Sequence, residues 1–225
     1  MFTEIQIIIL SLKTSICAML VVFPIGLSVA WLLTRTNIRG KFFIELLASL
    51  PLALPPVVTG YFFLWFLGSG SVFGSYIQTS LGMSIPFSWM ATVIASAVVA
   101  FPLTVRSFIS AFQSVDFKLE QSARGLGAGG FKTFFAITIP LSKRGILAGL
   151  VLGFARAFSE FGATIVFAGN IPGETTTVPL AIYTSINTGN VESITKLIIA
   201  SVVIAALTLA LYNLLAQNGR KKINT

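Results

Sequence analysis

The stretch EQSARGLGAGGFKTFFAITIP, Glu120–Pro140, holds Gly125, Gly127 and Gly130 in the order G-x-G-x-x-G. Taken alone, that spacing is the fingerprint of a dinucleotide-binding turn and would make the chain a soluble α/β protein. The fingerprint works only between a buried strand and a helix, with an acid about 20 residues further on. That context is missing. No acid lies between Glu120 and Glu160, and the cluster sits in a loop between two long apolar runs, with no room for a sheet. No G-x-x-x-x-G-K-[ST] loop occurs elsewhere. The sequence therefore reads as holding no nucleotide of its own, and the glycines need another explanation.

Composition gives the setting. Of 225 residues 55% are hydrophobic and 10% charged, where a soluble domain carries about 25% charged residues. The chain reads as an integral membrane protein with room for about five or six crossings at roughly 20 residues each. It has no His and one Cys. This removes the commonest general base and metal ligand and any intrachain disulfide. Cys17, inside an apolar run, reads as packing. No cleavable leader is expected: Glu4 is early, and no basic segment precedes the apolar run.

Five apolar stretches are long enough to span, near Thr14–Leu33, Ile44–Leu67, Phe87–Ile109, Gly145–Ala168 and Ile194–Ala216. The first could begin earlier, with Lys13 snorkelling at an interface. Of the 15 Lys and Arg, all but Lys13, Arg156 and Lys196 fall on one side: Arg35, Arg39 and Lys41, then Arg106 to Arg144, then Arg220, Lys221 and Lys222. By the positive-inside rule that side is cytoplasmic. The expectation is an all-α membrane protein with five spans, N-terminus outside and C-terminus cytoplasmic. Topology accounts for the net charge of +8, so no nucleic-acid partner is needed.

The spans are not plain anchors. Pro24, Pro51, Pro55, Pro56 and Pro102 lie within them. Each frees a carbonyl that protein or a watery cavity must satisfy. Broken helices at membrane depth are frequent in transporters, though single prolines often only kink. Gly145, Gly149, Gly153 and Ala157 recur every fourth residue and form a close-packing face. Arg156 and Glu160 stand in the same span at i,i+4. Each would cost roughly 2.5–3.5 kcal/mol facing lipid, so both should face protein or water and can pair. They read as an internal ion pair, or as part of a polar pathway or gate.

The opening stretch then reads as two short helices around a bend. Asp116 can cap the first helix. Val115, Leu119, Ala123 and Leu126 would form an apolar stripe, and Gly125 or Gly127 would stop it in the left-handed conformation. Phe131, Phe134 and Phe135 begin a second apolar face, with Pro140 ending that helix before the fourth span. A short amphipathic helix of this kind lies on a bilayer or docks on a partner.

With Gly127 on the motif glycine, the stretch resembles the cytoplasmic "EAA" loop of type I ABC importer permeases. Ile137 falls on the motif Ile, Ile139 replaces its Leu, and Pro140 falls on its Pro. The three leading positions become Gln121, Ser122 and Ala123, so one letter of three is kept and the glutamate is displaced to Glu120. LPLALPPVVTGY (Leu50–Tyr61) and FARAFSEFGATIVFAGNIPGETTTVPLAIYT (Phe154–Thr184) are similar to the molybdate permeases of that family. Sulfate permeases share a related E-F-G-A and E-T-T-T pattern. The likeness covers about residues 8–216 of a single transmembrane domain, 1–225, with a coupling loop at about 114–140.

The resemblance implies a homodimer in a bacterial plasma membrane, two ATP-binding subunits, and an extracytoplasmic molybdate-binding protein. It implies no cofactor on this chain and no enzymatic role for it; ATP would be used by the partner subunit. Glu120, Gln121, Ala123, Gly127, Ile137 and Pro140 would belong to the ATPase-coupling loop. A carried oxyanion needs weak sites along its path. Hydroxyl candidates are Thr59, Ser159, Thr164, Thr175, Thr176 and Thr177, beside Arg156 and Glu160, although Ser and Thr often bond their own helix carbonyls. Tungstate, sulfate and thiosulfate remain alternative solutes. An ATP-independent channel or carrier is a different class of reading, and an intramembrane enzyme would have only an Arg156–Glu160 centre.

Overall fold

Proline and tertiary contacts decide where these helices break. The computed structural model describes residues 3–220, so Lys221 and Lys222 of the charge reading lie outside the described residues. Among those described the chain is helical, with no strand. Long apolar helices are α1 (Glu4–Arg35), α5 (Trp89–Gln113), the run from α7 (Gly130–Thr133) through α8 (Ile139–Phe158), and α11 (Val191–Arg220). The second expected span is a bent pair, α2 (Lys41–Ala53) and α3 (Pro56–Leu67), turned through 113°. Among the described residues four helices, or five spans with the bent pair, are therefore long and apolar enough to cross a membrane.

The bend follows from Pro55 and Pro56. Leu54, which precedes them, is extended at φ −82°, ψ 141°, as a residue before proline prefers. Pro56 opens α3, where its missing N–H costs nothing. Pro140 does the opposite of what its type suggests. It was expected to end a helix, yet it sits in the first turn of α8, and the helix is continuous from Gly130 to Phe158. The preceding turn, Phe134–Thr138, is π-helical, and that wider turn absorbs the donor that Pro140 lacks.

The fourth expected span, Gly145–Ala168, is also corrected. It starts earlier and stops at Phe158; α9 (Gly162–Phe167) is a separate short helix after a break at Ser159–Phe161. Two further short helices lie between the longer ones, α4 (Val72–Leu81) against α3 and α10 (Val178–Thr188) against α11 and α1.

The centre is α5, packed by α1 and α8 along its length and by α2 and α9. Its Phe108 and Phe112 are fully buried with Ala30, Phe134 and Ile146 toward one end. Toward the other, Ala91, Ala95 and Val99 meet Ala163, Phe167 and Ala168 of the α9 region. The small-residue row on α8 is the contact with α5. A Cβ on Gly145 would stand 2.6 Å from Ala111 Cβ, and one on Gly149 2.8 Å from Ser107 Cβ. At Gly153 it would collide with Thr104 Oγ1 and crowd Met19. With lipid supplying no hydrophobic drive between helices, such close approach is how they hold together.

Candidate functional site

Two places gather the residues singled out by the sequence. The first is the basic end. There α6 (Phe117–Gly125) hangs between α5 and α7. Asp116 caps it, its carboxylate accepting the Lys118 N–H at 2.9 Å. Its far end closes on Gly127, at φ +88°. Gly127 N–H donates to Arg124 O and Ala128 N–H to Ala123 O, each at 3.0 Å, the paired closure a left-handed glycine permits. Gly127, not Gly125, is the terminator.

The expected apolar stripe faces mostly outward, as a surface for a bilayer or a partner would. Only Val115 of that set is buried; Leu119 is half exposed and Leu126 is 91% exposed. The residue that α6 turns into the protein is Glu120, 1% exposed. Its Oε1 lies 3.0 Å from Arg35 Nε and accepts the Thr138 hydroxyl at 2.9 Å. Arg35 also donates to Phe112 O at 2.6 Å, one of the carbonyls at the C-terminal end of α5 that lack helical partners. One carboxylate thus ties the end of α1, the end of α5, α6 and the π turn. Nothing near Arg35 in the sequence marks it for this; it reads there only as topology charge. The outward face of the loop keeps Gln121, Leu126, Phe131, Phe135 and Pro140 exposed, with Ala123 and Ile137 partly so.

The second place is where the two helix breaks meet. Gly162 abuts α3: a Cβ there would be 3.0 Å from Pro56 Cβ. Gly60 abuts α9, its Cβ position 2.6 Å from Ala163 O. Between them Glu160 is buried and uses both oxygens. Oε2 pairs with Arg156 Nη1 at 2.9 Å, and Oε1 accepts the Ala163 N–H at 2.8 Å. The same carboxylate therefore neutralises a cation and caps α9, which lacks a capping side chain at Phe161.

The hydroxyl candidates separate into two groups. Thr175 is structural: it accepts the Ile171 N–H at 2.8 Å. Thr176 donates to Asn170 Oδ1 at 2.7 Å, and Ser159, exposed, donates to Arg156 O at 3.1 Å. Thr59, Thr164 and Thr177 are buried with no hydrogen-bond partner among the described residues. Such groups are uncommon and ask for a ligand, a water or another state. A third polar group was missed in the sequence: Trp89 Nε1 donates to Thr14 at 3.0 Å while Lys13 lies over the Trp89 ring at 4.5 Å. The expected snorkelling lysine thus ends on an aromatic face. Among the described residues no cluster of His, Cys, Asp or Glu could hold a metal.

Comparison with known proteins gives these places a setting. Residues 22–221 match the family described as binding-protein-dependent transport system inner membrane component. The Molybdenum transport system permease protein ModB of Haemophilus influenzae is 47% identical over 221 residues, covering 98% of this chain and 96% of that protein. The ModB of Escherichia coli K12 is 46% identical, covering 97% and 96%. A putative molybdenum transport permease of Bacillus subtilis, YvgM, is 40% identical, covering 90% and 89%. Among solved structures, the inward-facing methionine transporter MetNI superposes at TM-score 0.73 with 16% identity, covering 96% of this chain and 95% of that one. A bacterial importer of alginate superposes at 0.71, also with 16% identity, covering 98% and 80%. At that identity the solved structures speak for the fold.

Proposed function

The chain belongs to the binding-protein-dependent transport system inner membrane components, and on that premise we propose that it is the permease subunit of an ATP-driven molybdate importer. The observation that carries the solute is the 47% identity to a molybdenum permease over nearly the whole of both chains. Sulfate or thiosulfate import is the nearest alternative, and tungstate differs too little from molybdate in size and charge for residues to separate them.

In this reading the chain is one transmembrane domain that pairs with a second copy. ATP is bound and hydrolysed by two separate subunits, and a binding protein outside delivers the anion. The basic end faces the cytoplasm, which puts the N-terminus outside. The loop at 114–140 is the surface on which the ATPase acts: its exposed Leu126, Phe131 and Phe135 suit a cleft in a partner. Glu120 faces away from that partner. Its role is to fix α6 to Arg35, so a push on α6 reaches α1 and α5 as a rigid unit.

The meeting of the two broken helices supplies the gate. Glu160 holds Arg156 and the start of α9 in one geometry, and a shift of α9 against α3 alters both. The unpartnered hydroxyls of Thr59, Thr164 and Thr177 are weak donors suited to an oxyanion that must be released again. Ser159 stays on the Arg156 carbonyl beside this region, while Thr175 and Thr176 bond Ile171 and Asn170 in the loop after α9.

Deletion and rescue test the assignment. A strain lacking the chain should fail on limiting molybdate and recover with excess molybdate or with the restored gene. Recovery with excess sulfate instead would move the solute to the sulfur oxyanions.

A further inference from the structure

At the basic end a cleft of about 950 Å³ runs between α5, α8 and the last turns of α11. Its size sits at the top of the range for small-molecule sites, about 300–1,000 Å³. Its lining is of three kinds: apolar Leu103, Ala148 and Leu215, the hydroxyls of Ser107, Ser110, Ser114 and Ser142, and the cations Arg106 and Lys143. Both cations are exposed and neither has an ion-pair partner among the described residues. Arg144 also lines the cleft but is already engaged, so nothing here rests on it. The one acid in the lining, Asp116, spends its carboxylate on the Lys118 N–H at 2.9 Å. The cleft is thus net positive, and open along α11, whose flank shows exposed Val203, Leu207, Leu211 and Leu214.

A hydrated inorganic anion would use the cations and the hydroxyls but leave the apolar wall unused, and an acyl chain alone would leave the cations unused. A single molecule that needs both is an anionic phospholipid. It can also arrive sideways along α11 from the bilayer. Basic pockets between membrane helices on the cytoplasmic side bind such head groups. We infer that this cleft holds an anionic glycerophospholipid, its phosphate on Arg106 and Lys143 and an acyl chain along Leu103 and Leu215. The inference rests on the reading of the basic end as the cytoplasmic membrane surface, and it does not depend on which solute is carried.

The test is native mass spectrometry of the full chain, purified from the membrane in the assembly in which it comes. Phosphatidylglycerol is added in one series and phosphatidylcholine with the same acyl chains in another. The wild type should retain phosphatidylglycerol preferentially. The double variant Arg106→Gln/Lys143→Gln should lose that preference about thirtyfold, from about fivefold per charge. Arg39→Gln, an exposed cation between α1 and α2, outside the cleft and outside the 114–140 loop, should leave that preference unchanged. If the double variant does not fold, each single variant is read against its own expected loss of about fivefold. Equal retention of the two lipids by wild type, or wild-type retention by a folded double variant, would overturn the lipid site. Displacement of the lipid by millimolar molybdate would instead assign the cleft to the solute. Failure of molybdate uptake in the same preparation would bear on the transport reading alone, because lipid retention is measured without transport.

Discussion

Arg35 Nε and Glu120 Oε1 stand 3.0 Å apart although 85 residues separate them in the chain. Both side chains are buried, at 9% and 1% exposure. A buried pair is weak evidence for stability when intact but costly to break, about 3–5 kcal/mol once one partner is removed. Glu120→Ala should therefore lower the yield and melting temperature of the detergent-solubilised protein. Glu120→Gln keeps an acceptor for the Thr138 hydroxyl and should lose less, while weakening the coupling of ATP hydrolysis to uptake. A Glu120→Ala chain as stable and as well coupled as wild type would remove the clasp from the account.

Gly127 closes α6 at φ +88° with open space around its Cβ position. A substitution there costs backbone strain without a clash, roughly 1–2 kcal/mol for a β-branched residue. Gly127→Val should insert normally, yet the proposed ATPase partner should hydrolyse ATP with little uptake, because the loop would meet it at the wrong angle. Gly125→Ala, also with open space and inside the helix, is the matched control and should transport normally. Uptake by Gly127→Val equal to that control would sink the docking role of this turn.

The two oxygens of Glu160 do separate work. Glu160→Gln keeps an acceptor for the Ala163 N–H and loses the ion pair with Arg156. Glu160→Ala loses both, and a hydrogen bond from a backbone donor to a charged group is worth about 1.5–3 kcal/mol. The glutamine variant should assemble and transport more slowly; the alanine variant should be depleted from the membrane. Comparing membrane abundance with uptake separates the two roles. Equal abundance of the two variants would show that the α9 cap is dispensable.

Thr164 and Thr175 are both buried, but only Thr175 has a partner. Thr175→Val strands the Ile171 N–H and should cost about 1–3 kcal/mol of stability. Thr164→Val should leave the melting temperature equal to or slightly above that of wild type, since an unpartnered buried hydroxyl gives way to an apolar group of the same shape, while slowing molybdate uptake. Unchanged uptake in Thr164→Val would take that hydroxyl out of the pathway.

Much of the fold was legible because apolar length and proline act locally. LPLALPP put three prolines into the second span, where a break and an ordinary kink were both open, and the chain bends there by 113°. The Gly145–Gly153 row announced a packing face and meets α5. What stayed hidden depends on contacts between distant residues. The break after Phe158 contains no proline; it is made by Glu160 capping α9 and by Gly162 seated against Pro56. The helix through Pro140 survives on a π turn that no residue pattern marks. Glu120 reads as the displaced glutamate of the coupling loop until Arg35 is brought beside it. The threonines read alike, and only their partners divide Thr175 from Thr164.

The proposed function has this chain move molybdate by coupling to a separate ATPase. The most direct measurement is to tag the chain, solubilise it mildly, and assay whatever co-purifies for ATP hydrolysis with the binding protein unloaded and then loaded with molybdate. The account predicts a co-purified ATP-binding subunit whose hydrolysis rises with the loaded binding protein and not with the unloaded one. A chain that purifies alone, with no ATPase activity and with molybdate flux in vesicles lacking ATP, would contradict it.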